Sequence, residues 1–314
     1  MTQTYQHNAG EVRAAYLAPE GLEAVLEAEL ARAGVPVTAW HGRLALSGLP
    51  PIDARWALDI WTDPVVQTVT SIGDAARQLR DVQRNWGLYA PSLHRRCALI
   101  AERLPRLVPR PLVFPAACPT GHLGAWTLLD NDTLLLSPTK TSAFVNGDVP
   151  FVEDRVGPPS RAYLKLWEAL TLFGRHPTAA ETCLDLGAAP GGWTWVLAQC
   201  GAKVIAFDRA PLDPALMTHP RVEWRQESAF GLDPQSLPPV DWLCSDIIAY
   251  PPRLLALTQR WIASGRVRFI VLTIKFQGET DFDTADAFAA IPGSRVVHLS
   301  HNKHELTFLW SADA

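Results

Sequence analysis

The chain has 314 residues, 48% of them hydrophobic and 19% charged, and its 28 Lys and Arg against 32 Asp and Glu give a net charge of −4. These proportions describe an ordinary globular protein with room for two domains of ~100–200 residues each, and they exclude one that coats nucleic acid through bulk positive charge. No apolar run approaches the ~18–20 residues of a membrane span, and the start of the sequence carries no leader pattern. The five cysteines (Cys97, Cys118, Cys183, Cys200 and Cys244) are scattered, with no C-x-x-C pair and no His cluster at ligand spacing. That usage predicts reduced core thiols, a cytoplasmic protein and no structural metal.

The first elements read as an α+β unit. Val12–Leu17 is a strand, and Pro19-Glu20-Gly21 turns into a helix with Leu22, Val25, Leu26 and Leu30 on one face, ended by Gly34. Arg43–Ser47 reads as a further strand and 52–60 as a further helix. Helical periodicity returns over Gly73–Trp86 and Ser92–Leu104. Strands then follow at Pro111–Phe114, Trp126–Leu129 and Thr133–Leu136, the last two flanking a hairpin turn at Asp130-Asn131-Asp132. Between Asp81 and Asp130 the only acid is Glu102, while Arg84, Arg95, Arg96, Arg103, Arg106 and Arg110 fall there with His94 and His122 nearby. Such a stretch suits a surface that tracks phosphates, because each arginine can neutralise one; it suits a solvated helix face equally well.

The proline-rich stretch Asp148–Ser160 reads as a linker, which divides the chain into a first domain at 1–152 and a second at 153–314. Ser160 is placed to cap a helix over Arg161–Phe173. Strands are then expected at 182–187, 203–208, 221–225, 240–245, 268–274, 294–300 and 305–310, with helices at 192–200, 251–264 and 281–290. Alternation of this kind predicts a doubly wound α/β sheet whose ligands bind beyond the carboxyl ends of the strands. Only Asn302-Lys303-His304 joins the last two strands, too short for a crossover, so they should run antiparallel.

Within this second half, Leu184-Asp185-Leu186-Gly187-Ala188-Ala189-Pro190-Gly191-Gly192-Trp193 places glycines between a buried strand and a helix. A ligand can lie there against bare backbone at the helix N-terminus. Asp185 and Asp208 should face that crevice. Asp208 closes the next strand about twenty residues on, where an acid accepts ribose hydroxyls in such folds. The pattern resembles motif I of S-adenosylmethionine-dependent methyltransferases. That resemblance implies a Rossmann-like domain using S-adenosyl-L-methionine, held by Asp185, Gly187, Ala188, Pro190, Gly191, Gly192, Trp193, Asp208 and Asp246.

Four polar residues stand at strand and helix positions that converge on the same sheet edge. Asp246 closes Val240–Ser245, Lys275 closes an apolar strand, Glu305 opens the final antiparallel strand, and Lys165 lies on the helix ahead of the fold. Singly, each suits an ion-pair cluster at a sheet edge, since an unpaired ammonium there is costly. Together the spacing resembles the K-D-K-E tetrad of RNA 2′-O-ribose methyltransferases. The words Pro159-Ser160-Arg161-Ala162-Tyr163-Leu164-Lys165-Leu166, Cys244-Ser245-Asp246 and His301-Asn302-Lys303-His304-Glu305-Leu306-Thr307 sharpen this. With the glycine loop they are similar to the bacterial large-subunit ribosomal RNA cytidine 2′-O-methyltransferases of the M type, over roughly 155–310.

That resemblance implies ribose methylation of a ribosomal RNA cytidine, with Lys165, Asp246, Lys275 and Glu305 as the catalytic residues and no metal. Lys275 is then the base, Asp246 orients it, Lys165 steadies the oxyanion, and Glu305 fixes the hydroxyl and Lys165. Leu17–Glu23 is similar to the opening of the family's N-terminal part, which implies a smaller THUMP-like RNA-binding domain before the Rossmann-like one. One departure is local: where the family shows an Asp after the third strand, this chain reads Gln226-Glu227-Ser228-Ala229-Phe230. The adenine contact then falls to Glu227 or the Ser228 amide. A monomer is the simplest expectation.

Other functions fit less well. Base-amine methyltransferases carry an Asn/Asp-Pro-Pro-aromatic motif where this chain reads Asp246-Ile247-Ile248-Ala249. A cytosine C5 enzyme needs a nucleophilic Cys, and Cys244 lies within a strand. The remaining alternative is a non-catalytic RNA-binding or ribosome-assembly factor that keeps the fold; the complete loop and tetrad argue against it.

Overall fold

The computed structural model describes residues 12–108 and 110–313; the leader reading at the start of the sequence lies outside the described residues. The chain divides into two compact units, Met1–Arg110 with Pro119–Asp148, and Pro111–Cys118 with Val149–Ala314. The segment 111–118 therefore belongs to the second unit rather than the first. It is no regular strand either, pairing only through a single Leu112–Phe151 bridge. Among the described residues no helix is long and apolar enough to cross a membrane.

The first unit carries strands β1 (Ala14–Leu17), β2 (Ala39–His41), β3 (Leu44–Ser47), β4 (Asp59–Trp61), β5 (Val65–Thr68), β6 (Trp86–Leu88), β7 (Gly124–Leu128) and β8 (Thr133–Ser137). Its helices are α1 (Glu23–Arg32), α2 (Ile72–Val82) and α3 (His94–Ala101). The strands form two four-stranded sheets, ordered β2-β3-β1-β4 and β5-β8-β7-β6. Gly34 ends α1 as expected, at φ +72°, with the Val35 amide bonded back to the Leu30 carbonyl at 2.8 Å. Asp130 builds the β7–β8 turn, its carboxylate accepting from the Asp132 amide and the Thr133 hydroxyl, each at 2.9 Å.

Two helices differ from expectation. Residues 52–58 form turns leading into β4. The buried carboxylate of Glu29 accepts the amides of Arg55 at 3.1 Å and Trp56 at 2.9 Å, so a side chain on α1 fixes backbone that the apolar spacing had suggested was helical. Helix α2 stops at Val82, and Trp86 opens β6 instead of closing the helix. Its indole N–H donates to the Leu79 and Gln83 carbonyls at 3.0 Å, satisfying helix-end acceptors from outside.

The second unit follows the expected alternation closely. Its strands are β9 (Thr182–Leu186), β10 (Lys203–Phe207), β11 (Val222–Arg225), β12 (Val240–Ser245), β13 (Val267–Lys275), β14 (Ser294–Val297) and β15 (Glu305–Ser311). Its helices are α4 (Tyr163–Phe173), α5 (Gly192–Gln199), the short α6 (Pro214–Met217), α7 (Pro251–Ala263) and α8 (Phe282–Ala289). The sheet order is β11-β10-β9-β12-β13-β15-β14, with β15 antiparallel to both neighbours. Fully buried Phe207, Trp242, Ile270 and Phe308 fill its core.

Two features of this sheet position the site. Chain order reverses beside β9, so a crevice opens beyond the carboxyl ends of β9, β10 and β12. Antiparallel pairing sets Lys275 opposite Glu305, which brings the start of β15 to the end of β13. Helix α4 begins later than expected, after Ala162 and without a side-chain cap; the Trp193 indole takes the Ala162 carbonyl at 3.0 Å. Ser160 is therefore not a cap.

Candidate active site

Gly187 ends β9 with φ +74°, and its N–H and that of Ala188 both donate to the Phe207 carbonyl, at 2.8 and 3.2 Å. A Cβ at Gly187 would lie 2.7 Å from Ile247, and one at Gly191, where φ is +113°, 2.3 Å from Leu216. The loop is thus pinned at both ends in backbone that only glycine holds without strain. Asp208 braces it from β10, accepting the Ala189 and Ala210 amides, each at 2.9 Å. Ser245 ties β12 to β9 through the Leu186 carbonyl at 2.7 Å.

A cleft of about 500 Å³ opens over this loop. Asp185, Gly187, Ala188, Pro190, Gly192, Trp193, Asp208, Glu227, Asp246 and Lys275 line it. Gly191 does not; a Cβ there would meet Leu216. Lys165 and Glu305 also lie outside the lining and join it through Asp246 and Lys165 respectively. Ser160, expected only as a helix cap, also lines the wall, as do Arg209, Phe230, Ile248 and Arg253, to which the sequence assigned no role. The Arg253 guanidinium sits 3.9 Å over the Phe230 ring, a long-range pairing with no local signal.

The four tetrad side chains form one cluster. Lys165 Nζ donates to Asp246 Oδ1 at 2.8 Å and to Glu305 Oε1 at 3.1 Å. Lys275 Nζ approaches the same Asp246 Oδ1 at 3.1 Å and also donates to the Asp246 carbonyl. One carboxylate oxygen therefore meets the side-chain nitrogens of both lysines, while Glu305 contacts only that of Lys165. All four side chains are mostly buried, between 10% and 19% exposed. The pairing satisfies every charge, as burial requires, and leaves Lys275 on the cleft wall.

Behind the cluster stands Glu168, one helical turn after Lys165 and only 1% exposed. Its carboxylate accepts from the Ser300 amide at 2.7 Å, the Ser300 hydroxyl at 3.0 Å and the His301 amide at 3.0 Å, and meets His301 Nδ1 at 2.6 Å. These bonds take 298–304 out of the sheet, so β14 ends at Val297 rather than continuing to residue 300 as expected. The signal for Glu168 was present in the sequence as a lone acid between Trp167 and Ala169–Leu170 on an apolar helix.

Asp185 is the most perturbed acid of the site. Burial pushes its carboxyl up to about 7; the Thr194 hydroxyl at 2.6 Å opposes this, and the charges of Asp246 and Asp208 add to it. Between the ordinary carboxyl range near pH 4 and about pH 7 the folded protein holds a proton that the unfolded chain releases. Stability therefore falls as pH rises through that window. Asp185→Asn keeps an acceptor for Thr194 and cannot ionise. Its Tm should match wild type near pH 4 and exceed it by several degrees at pH 8 in cofactor-free protein. A Tm difference that stays flat from pH 4 to 8 would contradict this assignment.

Residues 158–289 match the family of FtsJ-like methyltransferases. Among curated proteins, the ribosomal RNA large subunit methyltransferase M of Azoarcus sp. (strain BH72) is 37% identical over 161 residues, covering 45% of this chain and 43% of its own. The protein of the same name from Halorhodospira halophila (strain DSM 244 / SL1) is 36% identical over 157 residues, covering 48% and 46%. That from Xylella fastidiosa (strain M12) is 33% identical over 202 residues, covering 59% and 57%. The chain spans about half the length of the curated relatives it matches. These likenesses agree with the resemblance carried by the glycine loop and the tetrad.

Proposed function

From the match of residues 158–289 to the FtsJ-like methyltransferases, we infer that this protein transfers a methyl group to a ribose 2′-hydroxyl of RNA, in a cytidine of large-subunit ribosomal RNA. The observation that carries the reading is the shared Asp246 carboxylate, with two lysines on one oxygen at the wall of a glycine-floored cleft. S-adenosylmethionine fits that cleft: the floor is bare backbone where a Cβ would collide, and acids stand at the ends of adjacent strands. Backbone at Gly187 and Ala188 would hold its chain, Asp208 its ribose hydroxyls, and Glu227 or the Ser228 amide its adenine. Bound there, it supplies an electrophilic methyl group on a sulfonium.

The chain's own residues do the rest. A ribose hydroxyl is a weak acid and must lose its proton as it attacks, so a base has to stand within hydrogen-bond reach. Lys275, as the neutral amine, takes that proton and becomes the ammonium. Asp246 fixes Lys275 through both its carboxylate and its carbonyl, while Lys165, held by Asp246 and Glu305, offers a cation to the developing oxyanion. The cluster also sets the line of attack, and misalignment in a displacement is costly.

The test uses unmodified large-subunit RNA and a labelled methyl donor. Label should appear on ribose, and replacing the acceptor nucleotide by its deoxy form should abolish transfer, since the hydroxyl is the nucleophile. Label on a base, or continued transfer to the deoxy substrate, would overturn the assignment; no transfer at all would favour a non-catalytic RNA-binding role.

The first unit serves this reaction as a THUMP-like RNA-binding module. Arg84, Arg95, Arg103, Arg106 and Arg110 are exposed, whereas Arg96 is half-buried and drops out of the expected set. Replacing Arg84, Arg95 and Arg103 by Ala should reduce the slope of log K against log salt by about 0.7 per lost contact on single-stranded RNA. An unchanged slope would leave these arginines as plain solvated surface.

A further inference from the structure

We propose that Ile248 and Tyr250 form a stacking platform for a base of the single-stranded RNA that presents its ribose to Lys275. The inference rests on the methyl-transfer reading above and adds how the substrate strand is gripped. The connection from Asp246 to α7 alternates in exposure: Ile247 packs under Gly187, Ile248 is 75% exposed, Ala249 is buried, and Tyr250 is 66% exposed. Ala249 is thus a buried anchor between two large exposed side chains, and the extended backbone at Tyr250 suits residues two apart sharing a side.

The backbone at Tyr250 is held by the start of α7. Tyr250 is extended at φ −63° and ψ 136°, and its carbonyl accepts the Arg253 and Leu254 amides at 3.0 and 3.2 Å as α7 begins. Burying either side chain within the fold would be favourable, and exposed apolar groups gathered at a cleft mark a binding surface more than scattered ones do. Ile248 already lines the cleft wall, two residues from Asp246. Two side chains offer far less than the ~800 Å² per partner of a standard protein interface, but they match one nucleobase. Charge agrees: the exposed Arg209 and Arg253 share the lining of the same cleft and suit the phosphates on either side of such a base. Stacking on an aromatic or apolar face recognises any base, which is what a strand sliding into register needs.

The experiment measures Kd by anisotropy on a fluorescein-labelled fragment of unmodified large-subunit RNA, KM for methyl transfer to the same RNA, and S-adenosylhomocysteine affinity by calorimetry. Tyr250→Ala and Ile248→Ser are expected to raise Kd and KM by about tenfold each, with cofactor-product affinity unchanged in Tyr250→Ala, which lies outside the cleft lining. Tyr250→Phe should behave as wild type, because stacking needs the ring and not the hydroxyl. Kd within twofold of wild type in Tyr250→Ala and Ile248→Ser, or Tyr250→Phe as weak as Tyr250→Ala, would overturn the platform. If wild type transfers nothing to ribose yet Tyr250→Ala still loses RNA affinity, the methyl-transfer reading fails and the platform stands.

Discussion

Lys275→Ala is expected to lower turnover by ~10²–10⁴ while cofactor affinity stays near wild type, the usual contribution of a positioned base. Lys275 lies on the cleft wall, and its Nζ is held by the carbonyl and the carboxylate of one residue, Asp246. On the proposed reading, removing it takes away the proton acceptor; the glycine loop and its Asp208 brace stay untouched. Lys275→Arg should not restore the rate, because a guanidinium stays protonated and cannot accept the proton. Asp246→Asn should cost nearly as much, since a single oxygen organises both lysines and such clusters are not additive. Single-turnover measurements with saturating RNA and donor separate chemistry from binding. Near-normal turnover by Lys275→Ala would remove Lys275 from the role of base.

The second large effect is expected at Glu168, where the same cluster meets the stability of the fold. Its four contacts tie α4, which carries Lys165, to the segment that delivers Glu305. Glu168→Ala leaves two partly buried backbone amides and the ring of His301 without their acceptor. Leaving such donors unsatisfied costs roughly 1–3 kcal/mol. Urea unfolding should register that loss, and turnover should fall with it because Glu305 and Lys165 lose their common anchor. Glu168→Gln keeps the shape and part of the bonding, so it should lie between wild type and Glu168→Ala. A Glu168→Ala protein within about 1 kcal/mol of wild type would show that the loop is held by something else.

The two halves of the chain differ in how far local pattern carries. In the second unit the buried parallel strands are mostly apolar runs ended by turns, so residues 203–208 and 240–245 were legible within a residue of their observed bounds. In the first unit β2 and β4 have three residues each and β5 has four, too short for any period to emerge. Asp59 illustrates the difficulty. It lies fully buried in β4, and its charge is met by Lys140, 81 positions later, at 2.8 Å. Nothing near Asp59 in the sequence announces that partner. The helix expected at 52–60 failed for the same reason, because its amides are claimed by Glu29 from a different element.

What the sequence determined alone is what depends on neighbours in the chain: the glycines whose backbone must turn at positive φ, the apolar runs of the large sheet, and the acids and lysines that end its strands. The tertiary structure decided which of those charges meet. Spacing names Lys165, Asp246, Lys275 and Glu305, but the antiparallel register of β13 on β15 puts Glu305 beside Lys275 in the sheet and still gives its carboxylate to Lys165. It also decided that Asp246 serves both lysines, that Asp208 braces the loop, and that Glu168 anchors the segment before Glu305. The physical reason is the range of the forces. Backbone preference acts within a few residues, whereas a buried charge is stable only with a partner at about 3 Å, and the fold alone sets which distant residue arrives there.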